Sequence, residues 1–354
     1  MKIETARQVL LVVVAMLAAR LAFAEEPPQV KVANVRRVFH NGQHNAFTDL
    51  VRFRDRFYLT FRSCPDGHMV HPTASIIVLA SDDAKAWRQA HRFRVEKRDT
   101  RDPHFLVFGE GLFVYSGTWY SGETTLPPEE YDLNLHLGYA AWSKDGRQWN
   151  GPVMLEGTFG HYIWRASTFG GKAFLCGRRK KDFEVGPRGE GHAVQSAMLE
   201  SDDGLIWRTR TLFQEDRGDE TAFEFEPDGS IVAIGRRASG AAQLLRSKPP
   251  YTDWERTDLD RSIGGPLLAR WGPRWVVGGR KSIGGKGAKT AMHWLVDDEL
   301  HEFAELPSGG DTSYPGFVEL DPKHAVMSWY SSHEKDDQGN SITAIYMADL
   351  EIAE

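Results

Sequence analysis

Glu220, Arg236, Arg280 and Tyr314 have the side chains and the wide spacing of a site assembled from separate segments of chain. A carboxylate is the group a tyrosine needs nearby. At its ordinary pKa of about 10 the phenol is a poor nucleophile until a base takes its proton. Arginine forks meet carboxylates in a planar, two-pronged geometry, so Arg236 and Arg280 suit an anionic substrate. Arg62, Arg101 with Asp102, Arg165 and Arg178 recur upstream. Arginines gathered in one place repel each other unless an anion or a carboxylate lies between them. Asp49, Asp102, Glu220 and Asp311 are available for that role. Structural ion pairing and anion binding therefore both stay open for each single arginine.

The elements that must position these residues are strands. Helical periodicity is nearly absent, and the chain runs in short β-branched and aromatic stretches broken by Gly, Asp and Pro. It also repeats itself at a period of several tens of residues. One repeat is a hairpin turn: Ser81 to Trp87, Ser143 to Trp149, Ser201 to Trp207, and a degenerate copy from Ser247 to Trp254. In it Ser and Asp hydrogen-bond the turn backbone and Trp covers the turn. The other repeat is a hairpin from an entry residue to a polar exit residue: Thr48–Arg62, Arg101–Ser116, Arg165–Arg178, Glu220–Arg236, Gly264–Arg280 and Tyr314–Tyr330. Alternation of the two gives six units of four strands. The last unit has one further strand, Ile342–Leu350, and Val30–Phe39 supplies its fourth, closing a ring and removing open sheet edges. The expected fold is an all-β, six-bladed β-propeller of four-stranded antiparallel blades over residues 25–354. Within such a blade the entry to strand one and the loop from two to three share one face, called the upper face below. Entries and exits meet around the axis there, where propellers keep their pockets. The Ser-to-Trp turns fall on the lower face.

The Ser-to-Trp spacing resembles the Asp-box of sialidase-like propellers, one residue shorter. Glu220, then Arg236 and Arg280 each after a further hairpin, then Tyr314 in Gly310-Asp311-Thr312-Ser313-Tyr314, resembles the second half of the sialidase site. The resemblance implies that Tyr314 is a nucleophile, that Glu220 takes its proton, and that Arg236 and Arg280 hold a substrate carboxylate. Sialidases carry a first arginine in an F/Y-R-I-P entry to blade one, where this chain reads Phe47-Thr48-Asp49-Leu50. Arg62, Arg101 or Arg165 would complete the clamp from another angle, with Arg178 a further candidate. Sialidases also place an acid/base Asp in the loop after the first inner hairpin. Here that loop, Ser63–Thr73, offers Asp66, His68 and His71. His68 and, as a displaced acid, Asp102 are the candidates for that part.

Lys2 and Arg7, the apolar run Val9 to Ala19, and Ala22-Phe23-Ala24 before Glu25 read as a cleaved signal peptide over 1–24. The run is far short of the roughly 20 apolar residues a spanning helix needs. A secreted or periplasmic protein is expected. Loss of Lys2, Arg7 and Arg20 together with Glu4 would take the formal charge from -6 to -8. That balance gives no bulk attraction for nucleic acid or anionic membrane. Cys64 and Cys176 read as two separate thiols. The histidines show no metal-ligand spacing, so no metal or cofactor is expected. The implied function is that of a monomeric, retaining exo-glycosidase releasing a terminal acidic sugar from a glycan. Two alternatives stand beside it: a polysaccharide lyase on uronate glycans, using His68, His71 or His104 with Tyr314, and a non-catalytic glycan-binding propeller.

Overall fold

In the computed structural model, which describes residues 26–184, 194–282 and 287–353, the strands form six antiparallel sheets of four. The expected signal segment 1–24 lies outside the described residues. The chain starts with β1 (Val30–Phe39) and then winds blade by blade. Blade 1 is β2 (His44–Phe53), β3 (Arg56–Cys64), β4 (Ser75–Ser81) and β5 (Arg88–Phe93). Blade 2 is β6 (Arg98–Phe108), β7 (Gly111–Tyr120), β8 (Leu137–Ser143) and β9 (Asn150–Met154). Blade 3 is β10 (Tyr162–Phe169), β11 (Lys172–Lys180), β12 (Val194–Ser201) and β13 (Arg208–Gln214). Blade 4 is β14 (Thr221–Phe225), β15 (Ile231–Gly235), β16 (Gln243–Ser247) and β17 (Trp254–Asp258). Blade 5 is β18 (Gly264–Trp271), β19 (Arg274–Ser282), β20 (Ala288–Val296) and β21 (Glu299–Glu305). Blade 6 is β22 (Thr312–Asp321), β23 (His324–Lys335) and β24 (Ser341–Ile352), completed by β1.

Burial follows from the stacking of blades. A middle strand is covered on both faces by neighbouring blades, so β4, Ser-Ile-Ile-Val-Leu-Ala-Ser, is buried along its whole length. Outer strands meet solvent and are correspondingly polar, as in β17, Trp-Glu-Arg-Thr-Asp. The ring closes as the repeats require: β1 pairs antiparallel with β24, Val30 opposite Ile352 and Val32 opposite Leu350. Asp349 ties the seam further, accepting from Asn34 Nδ2 and Arg36 Nη1 at 2.8 Å each.

The lower-face turns show the hydrogen bonding their sequence calls for. In each of three, the Ser hydroxyl donates to the Asp two residues on, and that carboxylate accepts two backbone N–H groups: Ser81 with Asp83, Ser143 with Asp145, Ser201 with Asp203. Tyr115 of blade 2 donates its hydroxyl to Gly204 O in the blade 3 turn at 3.0 Å, so the turns also bind blade to blade. Cys64 and Cys176 are buried free thiols.

The upper ends of the inner strands depart from regular pairing, and this departure positions the site. Register breaks fall between Ala46 and Asp49, Arg101 and Pro103, Ile163 and Ala166, Gly264 and Leu267, and Ser313 and Gly316. In four of these bulges one residue takes a left-handed backbone: Phe47 at φ 64°, Asp102 at 49°, Gly265 at 60° and Tyr314 at 52°. A bulge turns a side chain out of the strand's alternation and aims it elsewhere, here toward the ring axis. Left-handed φ is costly for Phe, Asp and Tyr, and such strain persists where surrounding contacts over-determine it.

Candidate active site

The bulged ends surround a cavity of about 500 Å³ on the upper face. Tyr314 reaches it from blade 6 and Glu220 from the entry to blade 4. The Tyr314 hydroxyl donates to Glu220 Oε1 at 2.5 Å. The other oxygen, Oε2, accepts from Arg236 Nη1 at 2.7 Å and from the Gly265 backbone N–H at 3.1 Å. The tyrosine ring is wedged among Phe47, Trp164 and Tyr330, with ring centroids 4.9, 6.0 and 6.0 Å away. Burial pushes the Tyr314 phenol well above its ordinary pKa, and the Glu220 charge adds to this. Burial also acts to raise Glu220, but Arg236, the Tyr314 hydroxyl and Arg178 outweigh it and hold the carboxylate below its usual range. The pair therefore rests as neutral phenol and ionised base, the state from which a proton moves from Tyr to Glu when the oxygen attacks.

The expected arginines divide into two groups. Arg101, Arg178, Arg236 and Arg280 line the cavity. Arg178 is held by Asp219 at 2.6 Å and Arg236 by Glu220, with Asp219 at 3.5 Å. Arg101 donates through Nη2 to the His68 carbonyl at 2.6 Å and makes a longer contact of 3.8 Å to Asp99, and its guanidinium lies 5.1 Å from the Phe47 ring centre. Arg280 is tied only through Nη1 to the Thr312 carbonyl at 3.4 Å, and no carboxylate lies within ion-pair distance of it among the described residues. Its fork is the one most open to a bound anion.

Arg62 and Arg165, expected in the site, stand outside it. Arg62 is fully buried, makes two 2.9 Å bonds to Asp99 and donates to the carbonyls of Gly67 and Met69. It fastens blade 1 to blade 2 and shapes the loop after β3. Arg165 bonds Asp49 at 2.8 Å and the carbonyls of Pro266 and Pro315, below the cavity. It lines a smaller axial cavity of about 150 Å³ with Asp49 and Glu224. His104 is buried against Asp49 and Trp164, and His71 is taken up by the Thr125 hydroxyl, so neither reaches the cavity.

Asp102 and His68 do reach it. Asp102 accepts from the Tyr162 hydroxyl through Oδ2, while Oδ1 is buried with no hydrogen-bond partner. Burial, opposed by Arg101 and reinforced by Glu220, pushes its pKa up to about 6. His68 shares Asp311 with His44: His68 Nδ1 and His44 Nε2 lie 2.7 and 2.8 Å from Asp311 Oδ2, and the Tyr330 hydroxyl donates to Oδ1 at 2.8 Å. His44, Tyr162 and Asp219 are cavity residues that the sequence reading did not single out. Asp219 adjoins the entry residue Glu220, the one signal that pointed toward it, whereas Tyr162 stands a few positions ahead of the entry residue Arg165. In the basic run from Arg178 to Lys181, Arg178 and Lys180 are buried, the latter against Asp132.

A protein of unknown function from Dyadobacter fermentans matches this structure with a TM-score of 0.75, at 19% identity over 92% of this chain and 100% of its own. Trypanosoma rangeli sialidase matches with a TM-score of 0.62, at 12% identity over 90% of this chain and 60% of its own. The endosialidase of phage phi92 gives 0.62 at 9% identity, over 91% of this chain and 69% of its own. The chain shares its fold with sialidases. It spans about three-fifths of the Trypanosoma rangeli sialidase. No protein-family model and no curated protein matches the sequence. This structure also has a larger cleft of about 730 Å³, lined by Ser230, Lys248, Trp254 and their neighbours, which neither Tyr314 nor Glu220 reaches.

Proposed function

We propose that the protein is an exported, retaining exo-glycosidase that removes a terminal acidic sugar, sialic acid or a related nonulosonic acid, from a glycan. The observation that carries this reading is the buried Tyr314–Glu220 hydrogen bond of 2.5 Å beside Arg236 and the open fork of Arg280. The sugar carboxylate binds Arg280, with Arg236 and Arg101 completing a positive rim. The Tyr314 oxygen then attacks the anomeric carbon while its proton passes to Glu220, and the aglycone leaves with a proton from an acid. Water attacks the glycosyl–tyrosine bond in the second half, and Tyr314 recovers its proton from Glu220. A nucleophile that starts neutral approaches an anionic sugar without the repulsion a carboxylate would meet.

Steady-state kinetics on a panel of acidic glycosides tests this. Tyr314→Phe removes one hydroxyl and should lower turnover by orders of magnitude with folding intact. Glu220→Gln should be as damaging, and the double variant little worse than either, because the pair acts as one unit. Near wild-type turnover by Tyr314→Phe would sink the reading. Release of an unsaturated, ultraviolet-absorbing sugar would replace it with a lyase, and binding without turnover would replace it with a lectin.

A further inference from the structure

We propose that His68, oriented by Asp311, is the acid/base that protonates the departing aglycone and then activates water. The inference rests on the glycosidase reading above. That chemistry needs a proton donor at the cavity mouth, because the sugar fills the cavity and the aglycone must leave toward solvent. Asp102 is 5% exposed and faces the sugar, so it suits a bound hydroxyl better than a leaving oxygen. Within the loop after β3, Asp66 is taken up by the Thr73 hydroxyl and His71 by Thr125. His68 alone of that loop's three titratable side chains lines the cavity, and its imidazole is 50% exposed.

Its orientation is fixed by what Asp311 can accept. Burial acts to raise this carboxyl, but the hydrogen bonds from His44 and His68 hold it far below the usual carboxylate range. It is therefore ionised and only accepts, so His44 Nε2, His68 Nδ1 and the Tyr330 oxygen must all be donors. For His44 this agrees with its other nitrogen, Nδ1, which faces Arg62 Nη1 at 3.4 Å and must offer a lone pair there. For His68 it leaves Nε2 as the working atom, the arrangement by which a carboxylate orients a catalytic imidazole. His44, His68 and Asp311 are also close enough to suggest a metal triad. The 2.7 and 2.8 Å separations, however, are direct hydrogen bonds, and a cation between these atoms would leave Arg62 facing a protonated nitrogen.

The step balances. The imidazolium Nε2–H passes to the glycosidic oxygen as the bond to the anomeric carbon breaks, and that oxygen keeps the electron pair. Tyr314 oxygen bonds the carbon and its proton goes to Glu220. In the second half His68 Nε2 takes a proton from the attacking water, the carbon–tyrosine bond breaks, and Glu220 returns the proton to Tyr314. His68, Tyr314 and Glu220 all end as they began.

The probes are the 2-O-methyl and 2-O-(4-nitrophenyl) α-glycosides of N-acetylneuraminic acid. A methoxide leaving group needs protonation and a nitrophenolate hardly does. His68→Ala should therefore lose on the order of 10²–10⁴-fold on the methyl glycoside. Formation of the glycosyl-enzyme from the nitrophenyl glycoside, read as a burst, should stay within a few-fold of wild type. Asp311→Asn, a positioning change, should show the same leaving-group dependence in weaker form. Tyr314→Phe should fail on both probes, which separates loss of the nucleophile from loss of the acid. Equal loss on both probes by His68→Ala, or loss on neither, overturns the proposal while leaving the nucleophile reading intact. Failure of the wild type on both probes sinks the sialidase reading and the acid role with it. The orientation is checked without substrate by ¹⁵N NMR of the imidazoles: neutral His68 should carry its proton on Nδ1. The Nε2–H tautomer, or turnover lost to a chelator and restored by zinc, would overturn the proposal.

Discussion

The ring of Tyr314 lies so close over Gly265 that a β-carbon on the glycine would come within 2.6 Å of Tyr314 Cδ2. Gly265 is also left-handed, at φ 60°, and its N–H donates to Glu220. One backbone position thus sets both the nucleophile and its base. Gly265→Ala should displace the ring by a fraction of an ångström and cut turnover by about 10²-fold. Thermal unfolding should show only a modest fall in midpoint. A variant with full activity would mean the tyrosine has room to move that this packing denies it.

Arg62 and Arg280 should separate stability from binding. Arg62→Met leaves Asp99 charged and buried without its bidentate partner, which costs about 3–5 kcal/mol in denaturant unfolding. Arg280→Lys keeps the charge but loses the fork, so it should leave unfolding unchanged and raise KM about tenfold. The reverse pattern would exchange their assignments.

Glu224 predicts a pH dependence away from the chemistry. Its carboxyl lies in the axial cavity and accepts from Ser167 at 2.8 Å. Burial, partly offset by Ser167 and Arg165, pushes its pKa up from 4.5 to about 7. A carboxyl raised in the folded state holds its proton while the unfolded chain ionises, so stability falls as pH rises from about 4.5 to about 7. Glu224→Gln removes that loss and should be the more stable protein at pH 8, by on the order of 2–3 kcal/mol, with no difference at pH 4. Chemical denaturation at the two pH values reads the difference directly.

Deleting residues 26–40 strips β1 from blade 6 and bares β24 as a long edge. The truncated chain should unfold at lower temperature or aggregate. A retained midpoint would show that the seam contributes nothing.

The ring was legible because its signals are local and repeated: a Ser-to-Trp turn, an alternating strand, a polar exit. Ring closure by Val30–Phe39 followed from counting strands, since blade 6 otherwise lacks one. The site was legible only as far as strand ends could take it. Tyr314, Glu220, Arg236 and Arg280 lie in one cavity because each stands at an entry or an exit. Arg62 and Arg165 stand at such ends too, yet point to Asp99 and Asp49. Direction was the missing information. Bulges at Phe47, Asp102 and Tyr314 break the two-residue alternation, and nothing about Phe, Asp or Tyr announces a left-handed backbone. The Asp311 cluster was hidden for another reason: His44, His68 and Asp311 come from three segments that only the closed ring brings together.

The closed ring has a further consequence, one of connectivity. Ala353 N donates to Gln29 O at 2.9 Å, so the first and last strands of the described chain run out side by side. The place where the circle is cut is therefore arbitrary. Splicing 29 to 353 through a short linker and opening the chain at a lower-face turn of another blade would make the same circle from a different starting point. The β1–β24 pairing, now the contact of greatest sequence separation, would become a local hairpin. Some other blade would take over the slow, entropically expensive task of being finished last.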